Sequence, residues 1–299
     1  MTLLALASPV PGAMGAWLDA KLASGLVLAL PLGLAGLALL RFGLLARFGD
    51  SVPEPREPFT RGMAAAVAAA AAFLAAALLL PALLGAFTPG SSGYAPFSPP
   101  PGPASLAAAP ASLGFFALQS LVEELLFRAF FLTLLAALLL FFARLLFGKL
   151  SGLSEPLRGR AAARRWLVSG LLANAGQSVA FASMHSGNPN VTPLALLNVG
   201  LAGAVLGWLY WGTGGLLAPW LFHALWNFSL AALALPVSGM TMGRSVLPTG
   251  IRGAGLPALS GGAFGPEGSV LSTVTLTALL VLLVRRSARK LPGAYPSLR

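Results

Sequence analysis

The chain has 299 residues, of which 57% are hydrophobic and 9% are charged, and its formal net charge is +11. With a mean hydropathy of +0.83, it cannot be an ordinary soluble domain, since such a domain is about 25% charged and hides its apolar surface. Cysteine is absent, which excludes disulfides and thiol chemistry. Only helices and closed barrels satisfy the backbone in a bilayer, and long unbroken Leu- and Ala-rich runs indicate helices.

Seven apolar segments are predicted to cross a membrane, because a spanning helix needs about 20 apolar residues. In chain order they are 22–40, 62–87, 113–142, 166–185, 193–211, 215–235 and 269–284. The third could be one tilted helix or two pieces within 113–147. A Pro- and Gly-rich stretch precedes it and a Gly-rich loop, 236–268, precedes the last span. We therefore divide the chain into 1–112, 113–235 and 236–299.

The distribution of basic residues predicts the orientation of these spans. Most lie in 41–61, in 144–165 and after the last span, whereas the connections 88–112 and 185–192 carry none. Cytoplasmic loops are rich in Lys and Arg, so the pattern predicts a cytoplasmic C-terminus. It also explains the positive charge without a nucleic-acid partner.

The first span has no basic region before it and is expected to stay uncleaved. The high Ala content and the excess of Arg over Lys indicate a GC-rich bacterial source. The chain is therefore expected in the inner, plasma membrane as a multi-pass protein, with membrane lipid as a partner. The Gly-x-x-x-Gly of Gly203 and Gly207 predicts close helix packing within the chain rather than a dimer contact.

A few ionisable side chains fall inside the predicted spans, where burying each costs about 2.5–3.5 kcal/mol on insertion scales. The third span contains Glu123, Glu124 and Arg128, and the two histidines of the chain, His185 and His223, lie in the fourth and sixth. Such groups are functional candidates by default. Their concentration in three short segments predicts one shared site.

Helical spacing places pairs of these residues on the same helix face, because residues four apart share a face. Glu124 can pair with Arg128, Phe181 lies one turn before His185, and Asn227 lies one turn after His223. Four side chains are predicted to meet in one buried, water-containing cavity: Glu123, His185, His223 and Asn227. The expected fold is thus an all-α polytopic membrane protein of about seven helices around that cavity.

A carboxylate and a histidine around one water can act as a general base, and a histidine with an amide can stabilise an oxyanion. This set describes hydrolysis of an amide without a covalent intermediate. The same groups could bind zinc, since two histidines, a glutamate and water form a known catalytic set. The ligands would then be Glu123, His185 and His223, and the sequence leaves open whether the cofactor is zinc or none. No Ser/His/Asp arrangement stands out.

The ordered motifs Glu-Glu-x-x-x-Arg, Phe-x-x-x-His and His-x-x-x-Asn resemble the CPBP family of CAAX-protease and bacteriocin-processing intramembrane proteases. The resemblance covers roughly 113–235. It implies that Glu123 activates water with help from His185. It also implies that His223 and Asn227 stabilise the oxyanion.

The resemblance further implies supporting roles for three residues. Glu124 and Arg128 would position the groups that touch the substrate, and Phe181 would pack behind His185. The family is often labelled a metalloprotease, while its archaeal CAAX-protease members are described as metal-independent glutamate proteases.

The leading prediction is an intramembrane endopeptidase, of CAAX type or for bacteriocin or membrane-protein processing, with a peptide or membrane protein as substrate. Two other classes stay open. Intramembrane Glu, His and Arg also form relays in proton-coupled transporters, and a non-catalytic membrane scaffold could keep the same fold.

Overall fold

The computed structural model describes most of the chain from residue 109 onward. The described ranges are 27–36, 87–89, 109–147, 155–240, 251–253 and 256–289, with single positions at 25, 64, 68, 71 and 75. Most of the predicted span 62–87 and most of the region 1–112 therefore lie outside the described residues.

Most of the described residues are helical, with one short pair of strands and several turns between the helices. The helices are α1 Val27–Gly36, α2 Ala109–Phe147, α3 Glu155–Met184, α4 Pro193–Thr213, α5 Leu217–Ala232, α6 Pro257–Ser260 and α7 Val270–Arg289. Strands β1, Phe87–Pro89, and β2, Ile251–Gly253, pair antiparallel with Thr88 opposite Arg252. Two 3₁₀ turns, Gly262–Phe264 and Pro266–Gly268, precede α7. The predicted helical class is confirmed.

Three of the described helices, α2, α4 and α7, are long and apolar enough to cross a membrane, and α1 is a shorter apolar helix. The chain is thus a membrane protein by the length and composition of its helices. The count of seven spans stays a prediction, because α3 and α5, which hold the predicted fourth and sixth spans, are not among these helices, and most of the region 1–112 lies outside the described residues.

Helix α2 is one continuous 39-residue run, so the third predicted span is a single helix. Its middle, Leu125–Leu132, is π-helical. Thr133 Oγ1 donates a hydrogen bond to the carbonyl of Arg128 at 3.2 Å, and its other hydroxyl partner is Tyr210 at 3.0 Å. Segments of π-helix occur frequently at functional sites, and this one begins directly after Glu124.

The predicted basic loop 144–165 is wrong over much of its length. Residues 144–147 belong to α2, and α3 begins at Glu155 rather than at residue 166. The basic residues do not end the helix, because Arg and Ala are good helix formers. The ends of α4 and α5 agree with the predicted spans to within three residues, whereas α2 and α7 each continue five residues past the predicted end, to Phe147 and Arg289.

Helix α4 lies at the centre and packs against α3, α5, α7 and the π-helical segment of α2. Thr192 caps its start by accepting from the backbone N–H of Ala195 at 3.1 Å, and Gly214 ends it with φ of 68°. The packing predicted for the glycine pair is confirmed. A side chain at position 207 would collide with Asn174 of α3, 1.9 Å away.

Candidate active site

The deepest part of the site is an ion pair on one face of α2. Glu124 and Arg128 are both fully buried, and Arg128 Nη1 lies 3.0 Å from Glu124 Oε1. Arg128 Nη2 also donates to the carbonyl of Gly203 at 3.3 Å, and its guanidinium lies 4.4 Å from the ring centroid of Phe181. Pairing and a cation–π contact offset the cost of burying these charges.

His223 of α5 connects this ion pair to the second glutamate. Its Nδ1 donates to Glu124 Oε1 at 2.8 Å, and its Nε2 lies 3.8 Å from Glu123 Oε2. The carboxylate acceptor fixes the direction of the imidazole ring. As a result, Nε2 is the atom that His223 presents to Glu123.

Glu123 has a more open environment than Glu124, with 24% of its side chain exposed. Its Oε1 accepts a short hydrogen bond from Gln119 Nε2, one turn earlier on α2. Gln119 Oε1 in turn accepts from Asn227 Nδ2 at 3.0 Å. Gln119 therefore links the predicted base to the predicted oxyanion donor. Sequence reasoning missed this residue, although its spacing of four from Glu123 placed it on the same helix face.

His185 lies one residue past the end of α3. Its Nδ1 donates to the carbonyl of Phe181 at 2.8 Å, and the two rings pack with centroids 4.7 Å apart. Phe181 is buried and also contacts the ring of His223 edge-on, with centroids 6.1 Å apart. Phe181 thus lies between the two histidines, as well as under the guanidinium of Arg128.

Two adjoining clefts bring the predicted site residues together. The first is lined by all four of them, Glu123, His185, His223 and Asn227, and its remaining lining is mostly apolar. The second shares the two histidines and Asn227 and adds Glu267. The four predicted side chains therefore meet in one place, while a fully buried cavity stays a prediction.

Glu267 is a second residue that sequence reasoning missed. Its carboxylate accepts from Trp226 Nε1 at 2.8 Å and from the hydroxyl of Ser238 at 3.0 Å. A signal was present, because Glu267 is the only acidic residue of the chain after Glu155. Because Glu267 falls in a Gly-rich connection outside the predicted spans, the cost of burying a charge in a membrane does not single it out.

The predicted zinc ligands are Glu123, His185 and His223. Among the side chains that the structure describes, no three His, Asp or Glu groups form a set that could hold a metal ion. His223 Nδ1 is directed at Glu124, which leaves Nε2 for a ligand, and the His185 Nδ1 is held by a backbone carbonyl. Both hydrogen bonds are of the kind that metal-bound histidines make, but in this arrangement Glu123, His185 and His223 do not form a set that fits zinc.

Comparison with known proteins supports the reading of the motifs. Residues 105–229 match the family model described as type II CAAX prenyl endopeptidase Rce1-like. This range, less than half of the chain, contains all seven predicted site residues, and the predicted resemblance to the CPBP family is confirmed. No curated protein and no solved structure matches the chain. Residues 105–229 are therefore similar to CAAX prenyl endopeptidases, and three of the described helices are long and apolar enough to cross a membrane.

Proposed function

We propose that the chain hydrolyses peptide bonds within or beside the membrane by a glutamate-activated water. The observation that carries the proposal is the approach of Glu123 Oε2 to His223 Nε2, 3.8 Å apart, in a cleft that His185 and Asn227 also line. This separation is too long for a direct hydrogen bond. It suits a water or a substrate atom held between two polar groups.

Glu123 is the proposed general base. Gln119 holds Oε1 of its carboxylate, and Oε2 faces Nε2 of His223 at 3.8 Å with no hydrogen-bond partner among the described residues. His185 is suited to assist, because a backbone carbonyl can only accept and therefore fixes the proton of His185 on Nδ1. The remaining nitrogen, Nε2, is then an acceptor for a proton of the attacking water.

His223 and Asn227 are the proposed oxyanion donors. One N–H of the Asn227 amide donates to Gln119, which leaves the second N–H for the substrate. His223 already donates through Nδ1, so donation through Nε2 requires a second proton on the ring. The ring lies between two carboxylates, Glu123 and Glu124, of which Arg128 offsets one, so the other would balance the added charge.

The reaction follows from these roles. Glu123 takes a proton from water, and the hydroxide oxygen bonds to the carbonyl carbon of the substrate while His223 and Asn227 donate to the developing oxyanion. The C–N bond then breaks as Glu123 returns the proton to the leaving amine. General base catalysis of this kind contributes about 10²–10⁴ in rate, and loss of one oxyanion donor costs about 10²–10³.

The proposed substrate is a membrane protein or an apolar peptide, with membrane lipid as the surrounding partner. The cleft that holds the four site residues has walls formed by apolar side chains, among them Phe115, Phe116 and Val122. Apolar walls with few polar groups bind apolar segments and orient them through those groups. The proposed location is a bacterial inner membrane with the C-terminus in the cytoplasm.

Membrane peptide profiling tests the proposal and identifies substrates together. Cells carrying the wild type should release peptides that cells carrying Glu123→Ala or His223→Ala do not, at equal amounts of folded protein. Ser229→Ala is the matched control on α5, because its hydroxyl bonds only its own helix at Leu225. It should release the same peptides as the wild type.

Purified protein in liposomes should then cleave those peptides. Full cleavage by both alanine variants would overturn the assignment of the site. Ion or solute flux across liposomes with no cleavage would favour the transporter.

A further inference from the structure

We infer that Glu267, which lies outside the family match, is a positioning residue that holds the two histidine-bearing elements of the site against each other. The inference rests on the proposed function for its effect on rate. Its geometric basis is independent of that function, because one carboxylate accepts from α5 and from the loop that follows it.

The first contact acts on α5. Glu267 Oε1 accepts from the indole N–H of Trp226 at 2.8 Å, and Trp226 is 4% exposed. Trp226 directly precedes Asn227 and lies three residues after His223. Fixing the indole restricts rotation of α5 about its axis. A rotation would swing both proposed oxyanion donors away from Glu123, because all side chains of a helix turn together.

The second contact acts on the loop after α5. Glu267 Oε2 accepts from both the backbone N–H and the hydroxyl of Ser238. Ser238 has φ of 48°, which is uncommon for a residue other than glycine and persists only where the surroundings hold it. The carbonyl of Ser238 accepts from Asn188 Nδ2 at 3.0 Å. Asn188 lies three residues after His185, so the connection reaches the other histidine.

The backbone that carries Glu267 is itself held in place. Asn198 of α4 donates from Nδ2 to the carbonyls of Glu267 and Ser269, at 2.7 and 2.8 Å. Thr273 of α7 donates to Asn198 Oδ1 at 2.6 Å. The turn Pro266–Gly268 is thereby tied to two membrane helices. The catalytic unit consequently extends beyond residues 105–229 and includes the turn before α7.

Histidine NMR provides a test that does not require proteolysis. The chain contains two histidines, so ¹⁵N-histidine labelling gives two resolvable sets of ring signals. Glu267→Gln keeps the size of the side chain but replaces one acceptor oxygen by a donor NH₂. It should shift the signals of both His185 and His223, whereas Trp226→Phe should shift mainly those of His223. Thr275→Val is the matched control, because its hydroxyl bonds only Leu271 of the same helix.

Kinetics provide the second readout. Glu267→Gln should lower kcat about tenfold with KM within about twofold, because misdirected donors weaken the transition state more than substrate binding. In a double-mutant cycle with Trp226→Phe, the two losses in kcat should be less than additive, since both act through one hydrogen bond.

Unchanged ring signals of both histidines in Glu267→Gln would overturn the inference whether or not the chain is a protease. A loss of activity that only follows a loss of folded protein would also overturn it, because Glu267 would then be purely structural. If the wild type shows no cleavage but the ring signals move as expected, the proposed function fails and the positioning role stands.

Discussion

Two consecutive glutamates of α2 lie in opposite environments. Glu124 is fully buried, paired with Arg128 and bonded to His223. Glu123 is partly exposed, bonded to the neutral Gln119, and lines the cleft with its second oxygen facing His223. Consecutive residues of a helix project about 100° apart, so the double Glu supplies one group to the protein interior and one to the cleft.

The comparison teaches that the two carboxylates carry different kinds of cost. The charge of Glu124 is offset by a fixed cation, Arg128, and removing either residue would leave the charge of the other buried without a partner. The nearest partners of Glu123 are an amide and an imidazole rather than a fixed cation. Substitutions at the two positions should therefore affect different quantities.

The largest effect is expected for Glu123→Gln. It keeps the shape of the side chain and removes its basicity, so kcat should fall by about 10³. The thermal midpoint of the reconstituted protein should stay within a few degrees of the wild type, because no buried charge loses its partner. Peptide cleavage measures the fall in kcat, and thermal unfolding of the same sample measures the midpoint.

A loss of rate below tenfold would mean that Glu123 is not the base. The two glutamates would then have to exchange roles, with Glu124 acting through His223.

The next effect is expected for Glu124→Gln, and it is an effect on stability. The variant leaves Arg128 buried without its counter-charge and should destabilise the fold by about 3 kcal/mol. The double variant Glu124→Gln with Arg128→Met removes the orphan charge and should recover part of this loss. Unfolding midpoints in one detergent or lipid measure both variants, and activity should stay low in each.

If the double variant were no more stable than Glu124→Gln alone, the destabilisation would not come from an unpaired Arg128. The contribution of the ion pair would then lie in its contacts with Gly203 and Phe181.

Sequence reasoning placed the members of this comparison but not their connections. Charges inside apolar segments are costly and therefore conspicuous, which is why Glu123, Glu124 and His223 could be found without a structure. Helical spacing also predicted the Glu124–Arg128 pair. That His223 bridges the two glutamates could not be predicted, because it depends on how α5 packs against α2.

There is also a physical reason why Gln119 and Glu267 could not be predicted from the sequence. Gln119 carries no charge and is not conspicuous in an apolar span, and Glu267 acts through contacts that cross about forty residues of chain to Trp226. The start of α3 was misplaced because charge pattern reports which side of the membrane a segment occupies, and helix propensity decides whether it is helical.

The smallest effect is expected for Gln119→Leu, which is similar in size and removes both functions of the amide. Glu123 loses its donor and Asn227 loses its acceptor, so each side chain should sample other rotamers, and kcat should fall about tenfold. The loss should nearly disappear in a Glu123→Gln background if Gln119 acts mainly by orienting the base, since contacting residues are non-additive. The cleavage rates of the wild type, the two single variants and the double variant show whether the losses are additive. A full tenfold loss in both backgrounds would instead mean that Gln119 acts by orienting Asn227. The amide would then serve the proposed oxyanion donor rather than the proposed base, Glu123.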